Sequence, residues 1–404
     1  MHPITTPPPR PLKTLPFHLS MQGMLWLASN NGLGHSNPSL ESLSKQLPNF
    51  AQIAGNPLGE AVRAELAQQN IRLMEGIRRF QTHPYQRPDS PSHTIWQEGS
   101  TRLLDYAPDL TQPDATVLFI PSLINRHYIL DLLPGHSFTN FLKEQNIRPL
   151  VIDWQTPSKA EQDFNCERYI LHRLRPALEA APDDAPLFLA GYCMGGLLAL
   201  ALAQLEPERL AGLALLACPW NFHSNDFSRA KLDADRLTKL DALLTHSPTV
   251  AGEVLQTLFY ATNPWVFTRK FARFAEMDMD SHDAKRFIAM ESWVNDVTPL
   301  ATGVARECLI DWTQHNKPAQ GKWQVGGETI LPEAIKLPSF IACPTRDKVV
   351  PPRCSGALVP HLPNVTYHQP DSGHIGMVAG RRAGEQLWHP FHAWIHAQIK
   401  ARNT

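Results

Sequence analysis

The chain has 404 residues, 43% of them hydrophobic, and a formal net charge of −1. That length suits one large domain with an insertion, or two small ones, and the apolar content is ample for a sizeable core. Near-neutral charge without a long basic run speaks against nucleic acid as a partner, and six cysteines with no CxxC pair speak against a zinc ribbon or a dithiol redox centre.

Met1 to Pro16 is proline-rich and reads as an extended tail. Met21 to Ser29 is apolar but far too short to span a bilayer, and no cleavable-signal pattern surrounds it. Neither a transmembrane segment nor a leader is expected. The expected location is therefore the cytoplasm, where thiols stay reduced. From Leu40 to Phe80, residues Ala61, Leu66, Ile71, Leu73, Met74, Ile77 and Phe80 recur at helical spacing among charges, the mark of an amphipathic helix. Thr94 to Tyr106 alternates as antiparallel strands do.

A regular succession follows. Thr116 to Leu123 is expected as a strand, Ser137 to Gln145 as a helix, Pro149 to Trp154 as a strand and Glu167 to Ala181 as a helix. Leu187 to Ala190 and Leu213 to Cys218 are further strands, with a helix over Leu197 to Leu205 between them. Alternation at this spacing predicts a parallel sheet covered on both faces, with ligands at the carboxyl ends of its strands. From Asn221 to about Leu337 the alternation stops and helical segments follow one another, rich in Phe and Trp, as in a cap inserted between two strands. Strands resume at Ser339 to Ala342 and Thr366 to Gln369, and a helical stretch from Glu385 to Lys400, broken or kinked at Pro390, closes the chain. The resulting division is 1–93 as tail and helical region, 94–220 as first core part, 221–337 as cap and 338–404 as second core part.

Chemistry concentrates at the turn Gly191, Tyr192, Cys193, Met194, Gly195, Gly196, between a buried strand and a buried helix. This Gly-x-Cys-x-Gly has the form of a nucleophile elbow, with cysteine where lipases and esterases carry serine. A Gly-x-Cys-x-Gly on its own reads more readily as packing; the flanking strand and helix reverse that reading. Cys193 is placed at a helix N-terminus, whose positive end favours a thiolate. A nucleophile there needs a base and an orienting acid, in the order nucleophile, acid, histidine, each on a loop after a strand. Asp347, after the strand ending near Cys343, is the candidate acid, with Asp371 its nearest rival, and His374, after the strand ending near Gln369, is the candidate base. The backbone N–H groups of Met194 and Leu123 are the expected oxyanion donors. His389, His392 and His396 stand three and four apart, but Trp388, Phe391, Ile395 and Ile399 form an apolar stripe beside them and Pro390 interrupts the helix, so no metal is expected there.

The run Ile120, Pro121, Ser122, Leu123, Ile124, Asn125, Arg126, His127, Tyr128, Ile129, Leu130, Asp131, Leu132 resembles the Pro-x-x-Ile-Asn-x-x-Tyr-Ile-Leu-Asp-Leu segment of polyhydroxyalkanoate synthases. The resemblance continues through Asp153 and Trp154, the Gly-Tyr-Cys-x-Gly-Gly box, Trp293 with Asn295 and Asp296, Asp347, and Gly373 with His374. It covers roughly Thr94 to the C-terminus, and length favours the small synthases that work with a separate helical subunit. It implies an α/β-hydrolase fold, with a mostly parallel central sheet, a helical cap insertion and an N-terminal helical extension. It further implies a Cys–Asp–His triad polymerising (R)-3-hydroxyacyl-CoA into polyester with release of coenzyme A, the CoA thioester being substrate and no cofactor being needed. Asn125, Tyr128 and Asp296 are candidate substrate-binding residues. A polyester granule surface, a helper subunit or a second copy are the expected partners. A thioesterase or esterase on the same triad, or a non-catalytic granule protein, would carry the same pattern.

Overall fold

The computed structural model describes residues 10–13, 15, 16, 18, 57–224, 232–261 and 265–402. The expected tail before residue 10, the apolar stretch Met21 to Ser29 and the first part of the Leu40 to Phe80 helix lie outside the described residues.

Eight strands form the main sheet. They are β1 (His93–Glu98), β2 (Thr101–Asp105), β3 (Ala115–Ile120), β4 (Ile147–Asp153), β5 (Leu187–Tyr192), β6 (Gly212–Leu216), β7 (Ser339–Ala342) and β8 (Val365–His368). Their spatial order is β1-β2-β4-β3-β5-β6-β7-β8. The hairpin β1–β2 and the pair β2–β4 are antiparallel; every later pairing is parallel. The central strands β3, β4, β5 and β6 are buried at every position, which is why their sequences are mostly apolar rather than alternating, with Thr116 in β3 and Arg148 and Asp153 in β4 as buried polar exceptions. In the edge hairpin β1 is exposed on both faces, with only Trp96 half-buried, whereas β2 is buried at every position but Arg102. All expected strands are present, with ends shifted by up to three residues, the largest being the end of β3 at Ile120 rather than Leu123.

The helix Met194–Leu205 is buried along nearly its whole length and runs back over the sheet from the tip of β5. Sequence periodicity misses two features. The expected helix Glu167 to Ala181 contains a wide π-type turn over Ile170–Leu174, and short two-stranded ribbons join Asp131–Leu133 to His136–Ser137 and Thr249–Val250 to Leu300–Ala301. Segments of two or three residues are too brief to print a period.

Contacts divide the chain into two units, Met1–Gln86 with Gln256–Asn295, and Arg87–Leu255 with Asp296–Thr404. This grouping differs from the boundaries drawn on sequence, because the described N-terminal helix shares its core with the middle of the helical insertion. In the first unit the helix Pro57–Thr82 packs on the helix Trp265–Phe274, and Leu73, Ile77, Phe80, Phe267, Phe271 and Phe274 are all buried in one cluster. The two helices touch at Gly76, where a Cβ would stand 2.0 Å from the Phe271 carbonyl oxygen. The second unit holds the sheet and the larger core.

Candidate active site

The turn after β5 is as tight as its glycines imply. Cys193 has φ 55° and ψ −127°, a left-handed backbone that a residue with a Cβ adopts only under constraint. The constraint is packing: a Cβ at Gly191 would stand 2.5 Å from Gly196 Cα, and one at Gly195 would stand 2.1 Å from the Ile120 carbonyl oxygen. Cys193 N–H donates to Leu216 O at 2.9 Å, which ties the turn to β6 as well. The Cys193 side chain, half-buried, thus projects from the carboxyl edge of the sheet at the start of the helix Met194–Leu205.

Asp347 follows β7, and its carboxylate is fully buried. Its Oδ1 accepts the N–H groups of Val349 and Val350 at 2.8 and 2.9 Å, which fixes the side chain and leaves Oδ2 for another partner. That partner is His374 Nδ1, at 2.7 Å. His374 opens the short helix His374–Ala379 after β8, is buried, and lies close enough to the Cys193 side chain to feel its charge. Its ring stacks on Tyr192 at 5.2 Å, and Tyr192 Oη donates to the His374 carbonyl oxygen at 3.3 Å. Burial by itself would lower the imidazole pKa. The charges of Asp347 and Cys193 and the hydrogen bond to Asp347 outweigh it, and the ring is pushed up to about 10. The structure thus pairs His374 with Asp347 and sets Cys193 in the same neighbourhood. Asp371, the rival acid, is 64% exposed and pairs with Arg346 at 3.0 Å.

Of the two expected oxyanion donors, Met194 begins its helix, where backbone N–H groups have no partner within the helix. Leu123 lies in the loop after β3, its side chain in the core. That loop is pinned by a residue sequence reasoning missed: buried Thr298 donates its Oγ1 to Leu123 O at 2.6 Å and its N–H to Ile124 O at 2.9 Å. Trp154 Nε1 donates to Pro121 O at 3.0 Å and holds the start of the same loop. No pattern in the sequence around Thr298 announces this, since the contact is long-range.

Asn125 is half-buried and forms a β-bridge with Val297. Tyr128 Oη donates to Asp296 Oδ2 at 3.0 Å, and Arg126 lies 3.5 Å from Asp296 Oδ1. Burial, then the Asp296 charge, pushes the Tyr128 phenol far up, so it stays a donor. These three candidates therefore cluster, with Asp296 already engaged by Tyr128 and Arg126. Nearby, buried Asp153 at the end of β4 pairs with Arg102 and has His127 Nδ1 3.0 Å away. Although burial acts against it, His127, Arg102 and Gln155 together hold its carboxyl far below the usual range.

His392 and His396 have ring centroids 5.4 Å apart, while Phe141 packs edge-on against His389 and His392. Among the described residues no group of three or more His, Cys, Asp or Glu side chains is arranged to hold a metal ion.

Residues 133–380 match the model of the alpha/beta hydrolase fold family. The chain is 27% identical over 313 residues to the poly(3-hydroxyalkanoate) polymerase subunit PhaC of Haloferax mediterranei, covering 76% of this chain and 64% of that one. It is 24% identical over 353 residues to the subunit of the same name from Haloarcula marismortui, covering 84% of this chain and 73% of that one. A third such subunit, from Synechocystis, is 24% identical over 368 residues, with 87% and 96% covered. With the mostly parallel sheet and the elbow at the tip of β5, these matches lead to one conclusion: the chain belongs to the α/β-hydrolase fold family and groups there with the poly(3-hydroxyalkanoate) synthases.

Proposed function

We propose that this chain is an acyltransferase that polymerises (R)-3-hydroxyacyl-CoA through a thioester on Cys193. The observation that carries the reading is the Asp347–His374 pair beside a half-exposed thiol on a strained elbow. Asp347 holds Nδ1, so the other ring nitrogen serves the thiol. His374 takes the thiol proton, and the Asp347 charge beside Nδ1 favours the protonated ring. The sulfur then attacks the acyl-CoA carbonyl, the N–H groups of Met194 and Leu123 hold the developing oxyanion, and the CoA sulfur leaves with a proton from His374.

Exchange of one thioester for another costs little, and the acyl-Cys193 product stays activated, which an ester on serine would not. His374 next deprotonates a 3-hydroxyl, whose oxygen attacks a neighbouring thioester and extends the chain. Asn125, Tyr128 and Asp296, clustered beside the loop after β3, are assigned to substrate positioning. No helix among the described residues is long and apolar enough to cross a membrane. Relatives named as subunits support a helper subunit for this chain too, and an insoluble polyester product would suit work at a granule surface in the cytoplasm.

The reading is tested by mixing the protein with 3-hydroxybutyryl-CoA and following CoA release and product. Polymer formed in step with CoA supports it. Free acid alone would mean a thioesterase on the same residues, and absence of CoA release would mean a non-catalytic protein.

A further inference from the structure

Two thiols distant in sequence meet beside the elbow. Cys166 opens the helix Cys166–Tyr169, and Cys308 lies in the helical turn Glu307–Trp312. Their elements are tied by a hydrogen bond from Cys166 N–H to the Oε2 of Glu307, the residue before Cys308, at 2.6 Å, and the two thiols lie near enough for Cys308 to act on the Cys166 thiol. Cys308 Sγ also lies 3.6 Å from the sulfur of Met194, the residue after Cys193. Spacing in the sequence speaks against a dithiol centre; the fold makes one from distant parts.

The pair is asymmetric. Cys166 is buried, and burial first, then Cys308 and the Glu307 charge, push its thiol well up, so it is a poor first target for an oxidant. Of the six cysteines only Cys193 and Cys308 are partly exposed; Cys218, Cys343 and Cys354 are buried. An oxidant from solvent therefore meets Cys308 with a second thiol beside it.

We propose that Cys166 and Cys308 form a reversible oxidation site, closed to a disulfide by hydrogen peroxide and reopened by a dithiol reductant. Cys308 sulfur attacks one peroxide oxygen, the O–O bond breaks, and the departing hydroxide takes the thiol proton as water, leaving a sulfenic acid. Cys166 sulfur then attacks Cys308 sulfur; the S–S bond forms, the S–O bond breaks, and hydroxide leaves with the Cys166 proton as a second water. Two electrons pass from the two thiols to peroxide. The site needs no acyl chemistry and stands whether or not the proposed function does, although it adjoins the Met194 end of the elbow.

The test is peptide mapping of the full chain, as wild type and as Cys193→Ala to remove the competing exposed thiol, after hydrogen peroxide and blocking of remaining thiols without reduction. The expected result in both proteins is a cross-linked Cys166–Cys308 peptide pair, lighter by two hydrogens, that dithiothreitol separates and that Cys308→Ser abolishes. The proposal is overturned if both cysteines stay free, if Cys308 goes to sulfinic acid while Cys166 stays a thiol, or if either bridges to another cysteine.

Discussion

His374 is the residue on which charge, burial and geometry meet. Asp347 is already fixed by two backbone N–H groups, so the carboxylate does not have to reorganise when the imidazole gains a proton. Replacing Asp347 with Asn keeps an acceptor for those N–H groups but removes the charge facing Nδ1. CoA release should fall by about 10²–10⁴-fold, read from steady-state rates with folding checked by circular dichroism; an unchanged rate would remove Asp347 from the chemistry. The same pair gives a pH dependence with a definite sign. The ring carries its ordinary 6.5 when unfolded and about 10 when folded, so its contribution to stability is fully present below pH 6.5 and is lost as pH rises through about 10. In urea unfolding the advantage of wild type over His374→Gln should therefore shrink across that window. An advantage that grows with pH would contradict the assignment.

At the level of elements, the site is a set of strand ends held at fixed distances by a few close contacts. Gly195 lets the elbow helix touch β3. Gly195→Ala forces a backbone shift there and is expected to cost about 1–3 kcal/mol or more in denaturant unfolding. Thr298 does the corresponding work for the loop after β3. Thr298→Val leaves the Leu123 carbonyl without its side-chain donor and should cost about 1–3 kcal/mol, together with a fall in kcat, because the Leu123 N–H shares the same stretch of backbone. A stability loss with kcat intact would detach that loop from the oxyanion role. Strand existence and the elbow were legible in sequence because burial on both faces writes an apolar run and a strained turn demands glycine. The Tyr128–Asp296 and Thr298–Leu123 contacts were not, since each joins segments far apart in the chain and leaves no local period.

Across the whole chain, helical periodicity announced a buried face that holds at Leu73, Ile77 and Phe80 but not at Ala61, Ile71 and Met74, which are exposed, and it could not say what buries that face. The partner is the aromatic helix Trp265–Phe274, read from sequence only as part of a cap. Because both helices depend on one cluster, Phe271→Ala should cost about 3–5 kcal/mol and speed amide exchange in residues 73–82 and 265–274 together. Faster exchange in only one of the two stretches would show that they do not share a core. The order nucleophile, acid, histidine along the chain was readable because each stands after a strand, whereas the choice of Asp347 over Asp371 needed the fold: one carboxylate is buried against His374 and the other is out in solvent with Arg346.

The account rests on Cys193 carrying the acyl group. Intact-mass measurement after brief mixing with 3-hydroxybutyryl-CoA, followed by digestion, reads this directly. The expected result is a mass increase equal to one or more hydroxybutyryl units, located on the peptide containing Cys193 and absent from Cys193→Ala. An adduct on any other residue, or CoA released with no adduct and at an undiminished rate in Cys193→Ala, would contradict it.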